Sequence, residues 1–311
     1  MTATEPIVAA AVDTAVLKRR HVASSALFSA YWALTKPEVT FLIAIATATA
    51  FWIGSPATLL NFPWFRLLNT ILGTALVAGG AGTLNQWKEH RFDAKMRRTT
   101  RRPIAAGHVT PVDAFVFGTL LSAAGILYLF LAVLRAASLL ALLTLGLYLL
   151  VYTPLKRRTP LCTLVGALPG AIPVLIGYIA AAGTLTPMAW LLFAVLFLWQ
   201  FPHFMAIAWM YREDYARAGY MVLPIGNGRD RFVVWQSLIP GFALIPVGLI
   251  SMVFGTSKFV WSAGIVMVDV VFLYYCARFA YRRSNVAARQ LLTASIIYLP
   301  AVLLLTALAH R

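Results

Sequence analysis

Apolar residues run along this chain in long blocks broken by short clusters of charge, and nine blocks are long enough to cross a lipid bilayer. A spanning helix needs about 20 mostly apolar residues, because every backbone N–H and C=O in hydrocarbon must be satisfied within its own segment. The pattern predicts spans over residues 39–54, 67–86, 112–132, 137–154, 162–182, 187–209, 233–254, 259–278 and 290–309. Ahead of them, residues 1–23 read as a polar, poorly ordered tail. SSALFSAYWALTKP then forms a short interfacial segment ending at Lys36-Pro37, where Tyr31 and Trp32 suit the headgroup region. The expected fold class is all-α and polytopic, with one transmembrane domain over residues 24–311.

Composition agrees: 61% of the 311 residues are apolar and 12% charged, against roughly 25% charged in an average soluble domain. Of the 26 Lys and Arg, the spans leave only Arg66, Arg135, Lys258 and Arg311 on one side. The positive-inside rule makes the other, basic side cytoplasmic, with the N-terminus inside and the C-terminus, nine crossings later, outside. The net charge of +16 is therefore a topology signal and not a nucleic-acid footprint. Some of these bases also suit anionic membrane lipid, worth about 1 kcal/mol each near the surface. Cys162 and Cys276 fall within spans with no metal-ligand spacing and read as small buried residues. Glu5, Asp13 and the lack of a central apolar run argue against an export signal in the first 20 residues.

Half of the ten acids, Glu89, Asp93, Glu213, Asp214 and Asp230, sit in the two long loops on the basic side, residues 87–111 and 210–232. In LNQWKEHRFDAKMRRTTRRP, Asn85, Glu89 and Asp93 stand at i, i+4 and i+8. On a continuing helix they drift only about 40° per step and form one stripe of oxygen ligands. One or two carboxylates together with substrate phosphates are what Mg²⁺ needs. Arg97, Arg98, Arg101 and Arg102 follow, with Pro103 ending any helix, and guanidinium groups grip phosphate oxygens in bidentate fashion. On spacing alone, an ordinary positive-inside loop with surface ion pairs worth about 0 to 1 kcal/mol fits equally well.

The sixth span ends in FLWQFPHFMAIAWMYREDYARAG, which places Asp214, a candidate for a second metal or for diphosphate binding, between Arg217 and Arg212, itself a candidate binding residue. His203 lies inside the bilayer after Pro202, whose missing N–H loosens the helix. A substrate contact and a hydrogen bond to a neighbouring helix are equally open for it. Asp269, midway along the eighth span, has to be protonated or paired. Trp199, Phe201, Phe204, Trp209 and Tyr211 supply aromatic faces near this end, able to stabilise a carbocation. In YTPLKRRTP, Lys156 and Arg157 reach the same side, as topology signals or as further diphosphate contacts.

The segment NQWKEHRFDAKMRRTTRRP, in the form N-x3-E-x3-D-x2-M-x-R-T-x2-R-P, resembles the first signature of the UbiA-type intramembrane prenyltransferases, and within them the branch that farnesylates haem. The likeness continues through YWALTKPEV, YTPLKRRTP, GALPGAIPVLIGY, WQFPHF and REDYARAG, from about residue 31 to 225. It implies a helical bundle around a central cavity, with farnesyl diphosphate held through Mg²⁺ under a cytoplasmic cap and haem B as acceptor. Carried over by position, it makes Asn85, Glu89 and Asp93 metal-site residues, Arg98 and Arg102 diphosphate binders, and Asp214 the acid of the second motif. Met210 stands four residues before Asp214, where most of the superfamily has another acid. The implied setting is a bacterial inner membrane, with a haem A synthase or terminal oxidase assembly receiving the product. Two other readings stay open: polyprenyl transfer to an aromatic quinone precursor, and a membrane transporter, which would be expected to break its helices near the midplane.

Overall fold

The structure is a computed structural model that describes residues 24–56, 58–224, 226, 228–254 and 259–309. The expected tail, residues 1–23, lies outside them. Helix α1 (Ser24–Leu34) covers the segment expected to be interfacial, with Trp32 58% exposed. Nine helices long and apolar enough to cross a membrane follow among the described residues: α2 (Pro37–Gly54), α3 (Trp64–Asp93), α4 (Pro111–Ala132), α5 (Arg135–Leu155), α6 (Cys162–Ala182), α7 (Pro187–Met210), α9 (Gly228–Phe254), α10 (Phe259–Arg282) and α11 (Asn285–Ala309). The short α8 (Arg212–Arg217) sits between α7 and α9.

Helix ends depart from the expected spans mainly on the basic side. α3 runs to Asp93, and α9 and α11 begin at Gly228 and Asn285. Hydropathy marks the hydrocarbon, whereas a helix continues into the headgroup layer, where water and polar side chains complete its bonding. In α3 this extra length carries Glu89 and Asp93. α7 passes through Pro202 without a break.

Within α5, Leu147–Tyr152 is wound as a π-helix, a departure that hydropathy does not signal. The Thr153 N–H bonds to the Tyr148 carbonyl five residues back, and Pro154, with no N–H, follows at once. The wider turn re-aims Tyr148 and Tyr152 toward the interior.

Three helices form the inside of the bundle: the spans of α3, α6 and α7 are 67%, 72% and 56% buried, against 22–39% for the others. α6 packs on α2, α5 and α7; α7 packs on α9 and α11; α11 returns to touch α2. Small residues set a close approach between α3 and α4. A Cβ on Gly125 would stand 2.8 Å from the Val77 nitrogen and 2.9 Å from the Gly73 carbonyl, so only glycine lets these backbones touch. Cys162 and Cys276 are buried and unbridged. Asp269 is paired: its Oδ1 accepts the Tyr298 hydroxyl at 2.6 Å.

Candidate active site

The basic-side ends of α3, α5 and α7 and the chain before α2 enclose a cavity of about 170 Å³ whose polar wall includes Lys36, Asn85, Glu89, Asp93, Arg98, Arg102 and Lys156. Asn85, Glu89 and Asp93 lie on one stripe of α3 and are 1%, 5% and 1% exposed. Each is held by a base from another part of the chain. Lys156 Nζ donates to both Glu89 oxygens (2.9 and 3.2 Å), and Arg102 Nη1 to both Asp93 oxygens (2.8 Å each).

Pro103 does not end the helix; Asp93 does. Beyond it the chain folds back through turns, and the Thr99 hydroxyl donates to the Asp93 carbonyl. This reversal brings Arg98 and Arg102 to the cavity and leaves Arg97 and Arg101 exposed on its outside. Arg98 is anchored over the Tyr211 ring at 4.9 Å and donates to the Tyr215 hydroxyl at 3.2 Å.

Lys36 is a site member that sequence spacing does not single out. It has left-handed backbone angles (φ 50°, ψ 62°), an uncommon state for a side-chain-bearing residue. The following Pro37 disfavours the right-handed alternative. The buried Gln86 side chain also donates to the Ala33 and Leu34 carbonyls and pins the turn. Lys36 Nζ thereby reaches into the cavity and donates to Asn85 Oδ1 at 2.9 Å, a neutral partner. Burial, reinforced by Arg102 and Lys156, holds its pKa below the ordinary lysine value. For Lys156 burial acts in the same sense, but Glu89 outweighs it and lifts the ammonium well above that value. Four cations against two acids leave the cavity wall at about +2, suited to an anion.

The other candidates are placed differently. Asp214 is 8% exposed and clasps the loop, accepting from the Arg98 backbone N–H (3.3 Å) and pairing with Arg217 (3.2 Å). Arg157 stacks over Phe92 (4.3 Å) and faces an adjoining cavity of about 380 Å³ lined also by Lys88, Glu89, Arg158 and Tyr220. Arg212 does not reach either wall; it donates to the Trp209 carbonyl and to Asn285 at the start of α11. His203 faces α11, stacked on Trp199, while Phe204 on the next face lines the acid cavity. The Ser295 hydroxyl donates its single proton to the Leu292 carbonyl (2.6 Å), so it accepts from His203 Nδ1 (2.8 Å). That fixes the tautomer and leaves Nε2 with a free lone pair.

Residues 43–299 match the UbiA prenyltransferase family. The chain belongs to the UbiA prenyltransferase family. Membership makes it a prenyltransferase and sets the transporter reading aside. Among similar proteins, the Protoheme IX farnesyltransferase of Solibacter usitatus is 46% identical over 278 residues, 88% of this chain and 95% of that protein. Solved structures share the UbiA fold at low identity. A digeranylgeranylglyceryl phosphate synthase superposes with TM-score 0.76 at 15% identity, covering 91% of this chain and 98% of the other. A UbiA homologue from Archaeoglobus fulgidus bound to GPP and Mg²⁺ gives 0.61 at 15% identity, covering 89% and 99%.

Proposed function

We propose that this enzyme transfers the farnesyl group of farnesyl diphosphate to a vinyl group of haem B, with addition of water, giving haem O and diphosphate. The geometry that carries the reading is the cavity at the ends of α3, α5 and α7, where buried oxygen donors and a surplus of cations meet above an apolar bundle. The name borne by the 46% identical relative supplies the two substrates and favours haem over a quinone ring.

Asn85, Glu89 and Asp93 fit Mg²⁺: they are hard oxygen donors, one helical turn apart, buried and facing the same space. Bound there, the ion would offset charge on the diphosphate, as the Archaeoglobus fulgidus homologue's GPP and Mg²⁺ suggest. Lys36, Arg98, Arg102 and Lys156 meet the phosphate oxygens and stabilise the negative charge that builds as the allylic C–O bond breaks. Asp214 keeps Arg98 in place through its backbone clasp. Tyr148, Tyr152 and Phe204 wall the cavity with aromatic faces, which shield and attract the farnesyl cation. Attack by the vinyl carbon moves positive charge next to the porphyrin. Water adds there and loses a proton. His203, with Nε2 bare, is the proposed haem contact on the α11 side.

The enzyme sits in a bacterial inner membrane with this end in the cytoplasm, and a haem A synthase or terminal oxidase assembly consumes its product. The charge asymmetry of the loops supports the orientation. The test is to incubate purified protein with haem B, farnesyl diphosphate and Mg²⁺ and weigh the product. A gain of one farnesyl group plus water is expected from the native chain and none from Asp93→Asn; normal product from that variant would sink the site assignment.

A further inference from the structure

Tyr220 lies just past α8, outside every motif that carried the family likeness. The left-handed Gly219 (φ 73°) turns the chain there. The Tyr220 N–H bonds to the Tyr215 carbonyl (2.9 Å), and the next N–H, of Met221, bonds to the Lys156 carbonyl (2.7 Å). The ring packs against Phe92 and Tyr215 with centroids 5.8 and 6.0 Å away. The side chain is thus fixed from both ends and is only 7% exposed.

Its hydroxyl, however, lacks a well-formed bond. It is a buried polar atom that meets no partner in full hydrogen-bond geometry, with the Glu89 carboxylate as its neighbouring acceptor, and among such atoms in the described residues it alone belongs to a residue lining either cavity. Tyr220 shares with Glu89 the wall between the 170 Å³ acid cavity and the 380 Å³ basic one. Burying an unsatisfied hydroxyl is unfavourable, and here the neighbouring groups that would meet a ligand are cations and acids already engaged with one another. A phenol hydroxyl is an uncharged hydrogen-bond donor.

Resting on the diphosphate reading above, we infer that the Tyr220 hydroxyl is a further ligand-binding group of this cavity, donating a hydrogen bond to an oxygen of the bound diphosphate. It complements the four cations by adding a donor that carries no charge and needs no counter-ion before the ligand arrives. A phenylalanine would keep the ring packing and lose only the donor.

The experiment compares full-length native protein and Tyr220→Phe in detergent, measuring thermal unfolding without ligand and then titrating inorganic diphosphate, with Mg²⁺, and farnesyl diphosphate. Removing an unsatisfied hydroxyl leaves the unliganded protein as stable as before or more so, whereas losing a donor to a charged acceptor weakens binding about ten- to a hundredfold. Opposite signs in the two measurements, with both ligands weakened alike, are the expected result. Unchanged affinity for inorganic diphosphate in Tyr220→Phe overturns the inference and leaves the functional reading standing. A fall in unliganded stability also overturns it, because the hydroxyl would then serve Glu89 and not a ligand. Absence of diphosphate binding by the native protein overturns both.

Discussion

Replacing Glu89 by Gln isolates the most deeply buried ion pair of the cavity. The Lys156 and Glu89 side chains are 14% and 7% exposed, and the Lys156 ammonium also lies 4.6 Å over the Tyr152 ring. With the carboxylate gone, that ammonium keeps an amide and an aromatic face but no counter-charge. Removing one partner of a buried pair costs about 3–5 kcal/mol, because the other charge stays buried. At about 2–4 °C per kcal/mol for a chain near this size, the melting temperature should fall by roughly 6–20 °C. Removing both charges is a different matter: an apolar substitute of similar volume is often neutral. Glu89→Gln combined with Lys156→Met should therefore melt within a few degrees of the native protein although neither variant transfers prenyl groups. Thermal unfolding of the native protein, both single variants and the double variant in one detergent closes a double-mutant cycle. If Glu89→Gln melts like the native protein, or if the double variant loses the sum of the single losses, the pair is not the buried, mutually dependent contact argued here.

Two further outcomes concern other residues of the site. Lys36 titrates below the ordinary 10.5. Diphosphate affinity should be full below its lowered pKa and fall as pH rises through it, while unliganded stability rises across the same window, since the unfolded chain holds a proton the folded one has released. Lys36→Arg, always charged, should bind diphosphate without that fall; a wild-type-like decline in a titration calorimeter would remove Lys36 from the anion site. His203→Ala should weaken haem B retention in detergent and change its Soret band, with diphosphate affinity untouched. Equal haem retention and an unchanged spectrum would return His203 to packing against Ser295.

Much of the architecture was legible because the signals are local. Hydropathy reports the cost of leaving backbone and polar groups in hydrocarbon, and it placed all nine spans among the described residues. Helical geometry alone predicted that Asn85, Glu89 and Asp93 would share a stripe once the helix continued past the membrane edge, as α3 does. What hydropathy could not tell was which helices lie inside. α6 and α9 differ little in hydropathy (1.9 and 1.8) yet are 72% and 33% buried, since lipid and protein interior are equally apolar solvents.

The partners of the acids came only from the tertiary structure. Lys36 reaches Asn85 across 49 residues, Lys156 reaches Glu89 across 67, and the Arg98 amide reaches Asp214 across 116. No periodicity links such positions. The π-turn before Pro154 and the left-handed backbone of Lys36 re-aim side chains by local departures from regular geometry, which packing must stabilise and propensity disfavours. By itself the sequence determined the number of spans, the basic face and the stripe of oxygen donors. Packing decided which bases face that stripe, that Arg212 turns away to α11, and that Tyr220 brings a hydroxyl without a well-formed bond to its edge. The physical reason is that charge pairing inside a membrane bundle depends on distance through space, and the chain specifies that distance only once its helices have docked.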